Sequence, residues 1–362
     1  MIKIETKILK ELTNKAFSVC SFNKMLPLTE LMEININKED LIIRATNENV
    51  INLFVSAKIK DNDQEMRVVV DANIFNSLIS KITTEYIELD ITDKALMING
   101  NGIYYLDIRV DESGEIIKFP EIAIDEKQAE KEINLKELRK KLAICRSAIP
   151  DNFDAPELNN YYLKEIVLAT NAYKITSIEN NEELKDSELF ISKDLGNILI
   201  GLDYDKAKYY KDGNNLYIIG DNFKLVGITG EDLDKYPLEP IKGKLNEQFT
   251  YKVNIMKKDL LSLLDRLSLF VSEYDSNSIN ILFLPDKMKI TSQKKTGDED
   301  VKYVKAIEGL TEFNCSVSIL NLKAQIESLP DEEIEIQFGG AEDSIKIIDK
   351  NITQIVSFMM ED

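Results

Sequence analysis

Ile42-Ile43-Arg44-Ala45-Thr46-Asn47 returns 124 residues later as Ile166-Val167-Leu168-Ala169-Thr170-Asn171, and more weakly as Met288-Lys289-Ile290-Thr291-Ser292. A period this long marks a chain built from copies of one unit, and it decides the fold before any local pattern is read. The same elements recur around each copy. An amphipathic helix opens each unit near Ile4, Ile133 and Val253, with Leu135, Leu138, Leu142 and Ile149 at helical spacing in the second. A second helix follows at 71–83, 192–202 and 318–329, with Asp71, Ser192 and Ser318 at the capping ends. Strands come next: Ile87, Leu89 and Ile91 alternate with Glu88, Asp90 and Thr92, as Ile334, Ile336 and Phe338 do with Glu335 and Gln337. Asn99-Gly100-Asn101-Gly102 and Asp212-Gly213-Asn214 offer the positive φ that tight hairpins require, so the pairing is antiparallel.

Apolar periodicity lapses in the charged stretch 125–132 and again near 243–248. These lapses divide the chain into three domains, 1–125, 126–246 and 247–362. Each is expected to be α+β, two helices on antiparallel sheets. With 362 residues, 44% apolar and 30% charged, every unit has enough material for a core.

Composition excludes much. Histidine and tryptophan are absent, which removes Ser-His-Asp and Cys-His catalysis and any histidine-bearing zinc site. Cys20, Cys145 and Cys315 are odd in number and far apart, which argues against a disulfide framework and a C-x-x-C site. Gly100-Asn101-Gly102 and Gly339-Gly340 lack the pattern of a phosphate loop and are hairpin turns instead. Pairs of carboxylates abound, as they must with 64 acidic residues, and are expected on solvated faces rather than as acid-base catalysts. The expectation is therefore a protein that is not an enzyme and carries no cofactor or metal. Met1-Ile2-Lys3-Ile4-Glu5 lacks a signal peptide's apolar stretch, and no apolar run approaches the ~18 residues of a membrane span. A cytoplasmic protein with no membrane partner is predicted.

The net charge of −19 alone argues against nucleic acid. Its distribution argues the other way, because the first-helix windows 3–17, 133–148 and 252–268 carry net charges of +2, +4 and +2. One lysine-rich helix is an ordinary solvated face; three at equivalent places in an acidic chain point to a polyanion. The candidates for phosphate contact are Lys7, Lys10, Lys15 and Lys24 in the first unit, and Lys136, Arg139, Lys140, Lys141 and Arg146 in the second. Lys257 and Lys258 stand in the third unit, and Lys81, Lys193 and Lys323 on the second helices are weaker witnesses.

Three units of two helices plus antiparallel strands, basic on the helices and acidic elsewhere, resemble the bacterial-type β sliding clamp of DNA polymerase III. Where that family has Thr-Asp-Gly-His-Arg-Leu, this chain has Thr170-Asn171-Ala172-Tyr173-Lys174-Ile175. Tyr161-Tyr162-Leu163, Tyr236-Pro237, Phe270-Val271-Ser272-Glu273 and Val356-Ser357-Phe358-Met359-Met360 match in order and spacing. The departures point to a divergent member, of the kind a phage carries. The resemblance implies a head-to-tail homodimer closed around double-stranded DNA, bound without regard to sequence, with a DNA polymerase and a clamp loader as partners. It also implies an apolar pocket for a short extended peptide of the Gln-Leu-x-Leu-Phe type, lined by Leu163, Thr170, Ala172, Tyr173, Lys174, Ile175, Pro237, Ile241, Val356, Phe358 and Met360. Phe270 and Val271 of one copy are expected against Tyr104 and Leu106 of the next, since edge strands and apolar side chains need cover. The alternative is an acidic, repeat-built scaffolding protein that does not bind DNA.

Overall fold

The computed structural model describes every residue except 50, 61, 151–154, 180–188, 231–232, 295, 342 and 360–362. Its elements repeat three times. The first repeat runs β1 (Ile2–Glu5), α1 (Thr6–Phe17), β2 (Leu31–Asn37), β3 (Asp40–Thr46), β4 (Asn52–Lys58) and β5 (Glu65–Asp71), then α2 (Ala72–Lys81), β6 (Tyr86–Thr92), β7 (Ala95–Asn99) and β8 (Ile103–Asp107). The second runs β9 (Lys131–Asn134), α3 (Leu135–Cys145), β10 (Asn160–Leu163), β11 (Ile166–Thr170), β12 (Lys174–Glu179) and β13 (Leu189–Ser192), then α4 (Lys193–Gly201), β14 (Lys206–Asp212), β15 (Asn215–Gly220) and β16 (Phe223–Ile228). A further helix, α5 (Leu238–Asn246), precedes the third: β17 (Tyr251–Met256), α6 (Lys257–Leu267), β18 (Ser278–Phe283), β19 (Lys287–Ser292), β20 (Asp298–Lys302) and β21 (Phe313–Ser318), then α7 (Ile319–Ser328), β22 (Glu333–Phe338), β23 (Ser344–Asp349) and β24 (Ile352–Ser357). The three repeated sequence segments are β3, β11 and β19, the same strand of each repeat.

Each repeat builds two half-sheets. The leading one has the order β5-β2-β3-β4 in the first repeat, and the trailing one is β1-β6-β7-β8. Half-sheets of different repeats then join edge to edge. β4 pairs antiparallel with β16, setting Phe223 opposite Val55, and β12 pairs antiparallel with β24, setting Lys174 opposite Val356. Two eight-stranded sheets result, and two four-stranded half-sheets are left over. The chain accordingly separates into two compact units, Met1–Leu138 with Asp194–Thr229 and Arg139–Lys193 with Gly230–Asp362. These follow the joined sheets rather than the repeats, so each holds half of the middle one.

Several local expectations change. The first helices begin at Thr6, Leu135 and Lys257, and Ile4, Ile133 and Val253 belong to the short strands before them. The reason is visible in Ile2-Lys3-Ile4-Glu5, which buries alternate residues and so has a strand's period, not a helix's. The second helices start where capping predicted, with Asp71 accepting from the Ile74 amide and Ser318 from the Asn321 amide. Ile91 lies exposed near the end of β6, past the buried Ile87 and Leu89. The 99–102 turn needs no positive φ: among glycines only Gly114, Gly213, Gly309 and Gly339 adopt it. Gly100 is required for space instead, since a Cβ there would stand 2.9 Å from the Ile82 side chain.

A buried cation fastens the segment after β8. Arg44 lies between the rings of Phe54 and Phe119, at 4.7 and 5.1 Å, and donates to Asn52 Oδ1 at 2.8 Å and to the Pro120 carbonyl at 2.7 Å. Burial lowers its pKa, opposed by the Glu33 carboxylate.

The turn from β11 to β12 is locked by side chains. Asn171 Oδ1 accepts from the Tyr173 and Lys174 amides at 3.0 and 2.9 Å, while Thr170 Oγ1 accepts from the Ala172 amide and donates to the Lys174 carbonyl. Ala172 is held at φ 73°, where a Cβ crowds its own backbone. That strain amounts to about 1–2 kcal/mol, against about 0.5–1 kcal/mol of extra chain entropy lost by glycine. Ala172→Gly should therefore raise the unfolding free energy by about 0.5–1 kcal/mol in denaturant titrations, and a loss of stability would refute the strain.

Burial pushes the Cys20 and Cys315 thiols up to about 12, and Cys145 is raised as well. A raised pKa keeps each thiol protonated at every pH below it, and the protonated form is a poor nucleophile. At pH 8, 5,5′-dithiobis(2-nitrobenzoate) should react with none of the three in the native protein within the time it takes to label all three in denaturant.

Candidate functional site

The helices sort the basic candidates into two groups. Lys7 on α1, Lys81 in the last turn of α2, Lys136 and Lys140 on α3 and Lys258 on α6 are exposed, as are Lys24 and Arg146 in the turns after α1 and α3. Lys10, Arg139 and Lys141 are half-buried. Four others are engaged inside the fold, contrary to the expectation that they face solvent. Lys15 bonds Glu11 at 2.6 Å and lies 4.1 Å over the Tyr204 ring. Lys193 donates to the Pro150 carbonyl at 3.3 Å and Lys257 to the Leu329 carbonyl at 2.6 Å. Lys323 pairs with Asp265 at 2.6 Å, which raises its pKa, and with Glu327 at 3.6 Å. Glu11 and Glu327 lie four residues from their lysines on the same helix, but spacing could not show the partners that come from other elements, Tyr204, Pro150, Leu329 and Asp265.

The pocket residues also divide. Leu163, Thr170, Ile175, Ile241 and Val356 are buried, Ile175 and Ile241 in one apolar cluster with Tyr162, Phe190, Tyr236 and Ile355. They form the floor rather than an open lining. The pattern could not show this, since an apolar residue reads alike whether a ligand or a neighbouring helix covers it. What reaches the surface is the exposed Ala172 and Tyr173 with the half-buried Lys174, Pro237 and Phe358. β24 brings the two stretches together, with Lys174 opposite Val356 and the Ser357 amide bonded to the Tyr173 carbonyl at 2.9 Å. Phe358 lies 6.2 Å from the Phe313 ring, and Pro237 sits at the start of α5. Met360 lies outside the described residues.

The third-strand edges of the half-sheets obey a rule. In the first repeat the leading edge is β4, and it joins the trailing edge β16 of the second; β12 joins β24 likewise. Only β8 and β20 of this class are left, one trailing and one leading edge, paired with β7 and β19 on one side and with no strand on the other among the described residues. Large apolar side chains stand exposed at both. Ile103 and Tyr105 of β8 are 59% and 63% exposed, and Leu269 and Tyr274, flanking Phe270 after α6, are 80% and 100% exposed. Leu106 departs from expectation: it is buried, because it stands opposite the fully buried Leu96, whereas Tyr104 on the same strand face is exposed. Phe270 is half-exposed and lies beside the turn leading into β20, where a Cβ on Gly297 would meet its ring at 3.2 Å. The acids of β20 are satisfied within the fold, Asp298 by Lys289 at 2.7 Å, Glu299 by Arg266 at 2.5 Å and Asp300 by Lys287 at 2.5 Å. Ile103, Tyr105, Leu269 and Tyr274 escaped the sequence pattern, although Ile103-Tyr104-Tyr105-Leu106 has apolar residues on both strand faces, the mark of a covered edge.

Among the described residues no group of three or more acidic or cysteine side chains is placed to hold a metal ion, and no helix is long and apolar enough to cross a membrane.

No family model matches the chain. It is 23% identical to the β sliding clamp of Mycoplasma genitalium over 92% of this chain and 91% of that one. In fold it is similar to the Borrelia burgdorferi DNA polymerase III subunit β, with a TM-score of 0.87, 18% identity and 99% of both chains covered. It is also similar to the Helicobacter pylori β clamp bound to a DNA ligase peptide, with a TM-score of 0.82, 14% identity and the same coverage. The order of elements, the joined half-sheets and the sequence similarity along nearly the whole length agree: the chain is similar throughout to the bacterial β sliding clamps, at low identity.

Proposed function

We propose that the protein is a sliding clamp, a polymerase processivity factor in which two copies close head to tail around duplex DNA, with domains 1–125, 126–246 and 247–362 as its three repeats. The observation that carries this is the edge rule. Every other leading edge is joined to a trailing edge of another repeat, so β20 of one copy and β8 of a second complete the pattern, twice, and no edge of that class remains. Ile103, Tyr104 and Tyr105 would then meet Leu269, Phe270 and Val271 across an antiparallel joint like those of β4 with β16 and β12 with β24. The exposed Lys7, Lys24, Lys81, Lys136, Lys140, Arg146 and Lys258 would contact phosphates, assisted by Lys10, Arg139 and Lys141. A short extended peptide from the polymerase or the clamp loader would dock at Ala172, Tyr173, Lys174, Pro237 and Phe358; the Helicobacter pylori clamp, similar in fold, is bound to a peptide of DNA ligase. Work on cellular DNA places the protein in the cytoplasm, and its divergence favours a phage gene.

Each covered side chain at the joint contributes about 1.5–3 kcal/mol. Ile103→Asp with Tyr105→Asp should therefore give a folded monomer by light scattering, with processive primer extension on circular DNA lost. A double variant that stayed dimeric would exclude β8 from the joint.

Phosphate contacts make binding salt-dependent, each one adding about one unit to the slope of log affinity against log salt. Lys7→Glu with Lys136→Glu should leave the melting temperature unchanged, lower that slope by about two and shorten extension products. Unaltered processivity would favour the scaffolding alternative.

A further inference from the structure

We propose that Lys346 is a positioning residue of the partner-peptide site, fixing helix α5 against strand β24 and so setting the separation of the two walls that carry Pro237 on one side and Phe358 on the other, over the floor that contains Ile241 and Val356. The inference rests on the peptide-site reading above.

Strand β23 sets Lys346 opposite Ile355, next to the Ile345 and Val356 pair, so its backbone lies directly behind the wall formed by β24. The side chain is only 6% exposed. Its ammonium donates to the Leu245 carbonyl at 2.9 Å and the Glu247 carbonyl at 2.7 Å, and sits 4.9 Å over the Phe249 ring. Leu245 is in the last turn of α5 and Glu247 is its C-cap residue, where outward-pointing carbonyls attract a cation. The other wall of the arrangement is apolar: Ile241, in the middle of α5, packs with Tyr236, Ile175 and Ile355. α5 is thus held at its C-terminal end by one lysine and along its inner face by packing, while Pro237 stands at its N-terminal end.

Packing alone would be served by leucine or methionine at this position, without the desolvation that burying an ammonium entails. Burial does lower the lysine's pKa, with Glu247 acting against it. What the cation adds is direction: two bonds to fixed carbonyls at the end of the helix, which an apolar side chain cannot make.

The test measures binding of a synthetic Gln-Leu-Ala-Leu-Phe pentapeptide to the full chain. Lys346→Met keeps the length of the side chain and removes the donors; it should remain dimeric by scattering and melt within a few degrees of the parent, yet bind the pentapeptide at least about tenfold more weakly. Lys346→Arg restores donors and charge and should recover binding to within about threefold. A folded Lys346→Met protein that binds within about twofold of the parent overturns the proposal. Should that variant not fold, the parent protein supplies the answer, because coupling is reciprocal: bound pentapeptide should slow acetylation of Lys346 at least about threefold, and an unchanged rate overturns the proposal equally. If the parent protein itself does not bind the pentapeptide, the peptide-site reading fails and the role of Lys346 falls with it, an outcome distinct from a latch that is present but uncoupled.

Discussion

An antiparallel strand at the end of a half-sheet presents a row of amides and carbonyls that must find partners, and in this chain that requirement organises everything larger than a hairpin. β4 and β12 meet it by joining β16 and β24 of the following repeat. Joining across repeats has a visible consequence, since the compact units are the joined sheets and the middle repeat is divided between them. Of the edges that join repeats, a chain of three such repeats leaves one leading and one trailing edge unjoined among the described residues, β20 and β8. Large apolar side chains stand exposed there, at Ile103, Tyr105, Leu269 and Tyr274, among others elsewhere on the surface such as Met25 and Tyr173. Backbone and side chains thus make the same demand at the same two places.

The repeat was legible because strand periodicity, capping residues and the recurring Ala-Thr-Asn segment are local signals carried on the surface of the sequence. Strands β3, β11 and β19, the second-helix caps at Asp71 and Ser318, and the loop at 170–175 all follow from neighbouring residues. What escaped depends on distant ones. Ile345-Lys346-Ile347 alternates like a half-exposed strand, and nothing nearby says that α5 and the segment after it cover the polar face and bury the lysine. Helix α5 itself left a trace in the spacing of Leu238, Ile241 and Leu245, but a domain boundary was expected inside it because charged residues and Gly243 interrupt the stripe. Lys15 and Lys323 looked solvated for the same reason: Tyr204 and Asp265 reach them from elements that lie far away in sequence.

The candidate peptide site shows what this division means for recognition. Its apolar residues are mostly floor, already packed against Tyr162, Tyr236 and Phe190, so a ligand there would meet a preformed surface rather than a cavity to be filled. Rim and floor are held by different means. Side-chain bonds from Thr170 and Asn171 fix the turn that presents Tyr173, with Ala172 accepting a strained conformation to complete it. The opposite wall is held by α5 and the lysine at its end. A site whose walls are fixed before binding loses less conformational entropy on capturing a short, extended chain.

The electrostatics fit a weak hold better than a tight one. Net charge is −19, and the basic residues that might have formed a dense strip are partly consumed within the fold: Lys15, Lys193, Lys257 and Lys323 all have partners in the chain. The exposed candidates number one or two to a helix, Lys7 on α1, Lys81 on α2, Lys136 and Lys140 on α3 and Lys258 on α6. At physiological salt interactions between exposed charges are screened beyond about 8 Å, so each phosphate contact is modest and readily exchanged for the next. On the proposed function this is an advantage, because a closed ring cannot dissociate sideways and retention need not come from affinity. Strong contacts would slow movement along the duplex without improving retention. On the same proposal the demand for strength moves to the joint between copies, where the acids of β20 are neutralised by Lys289, Arg266 and Lys287 of their own chain and the exposed Leu269 and Phe270 are left to make the apolar contact.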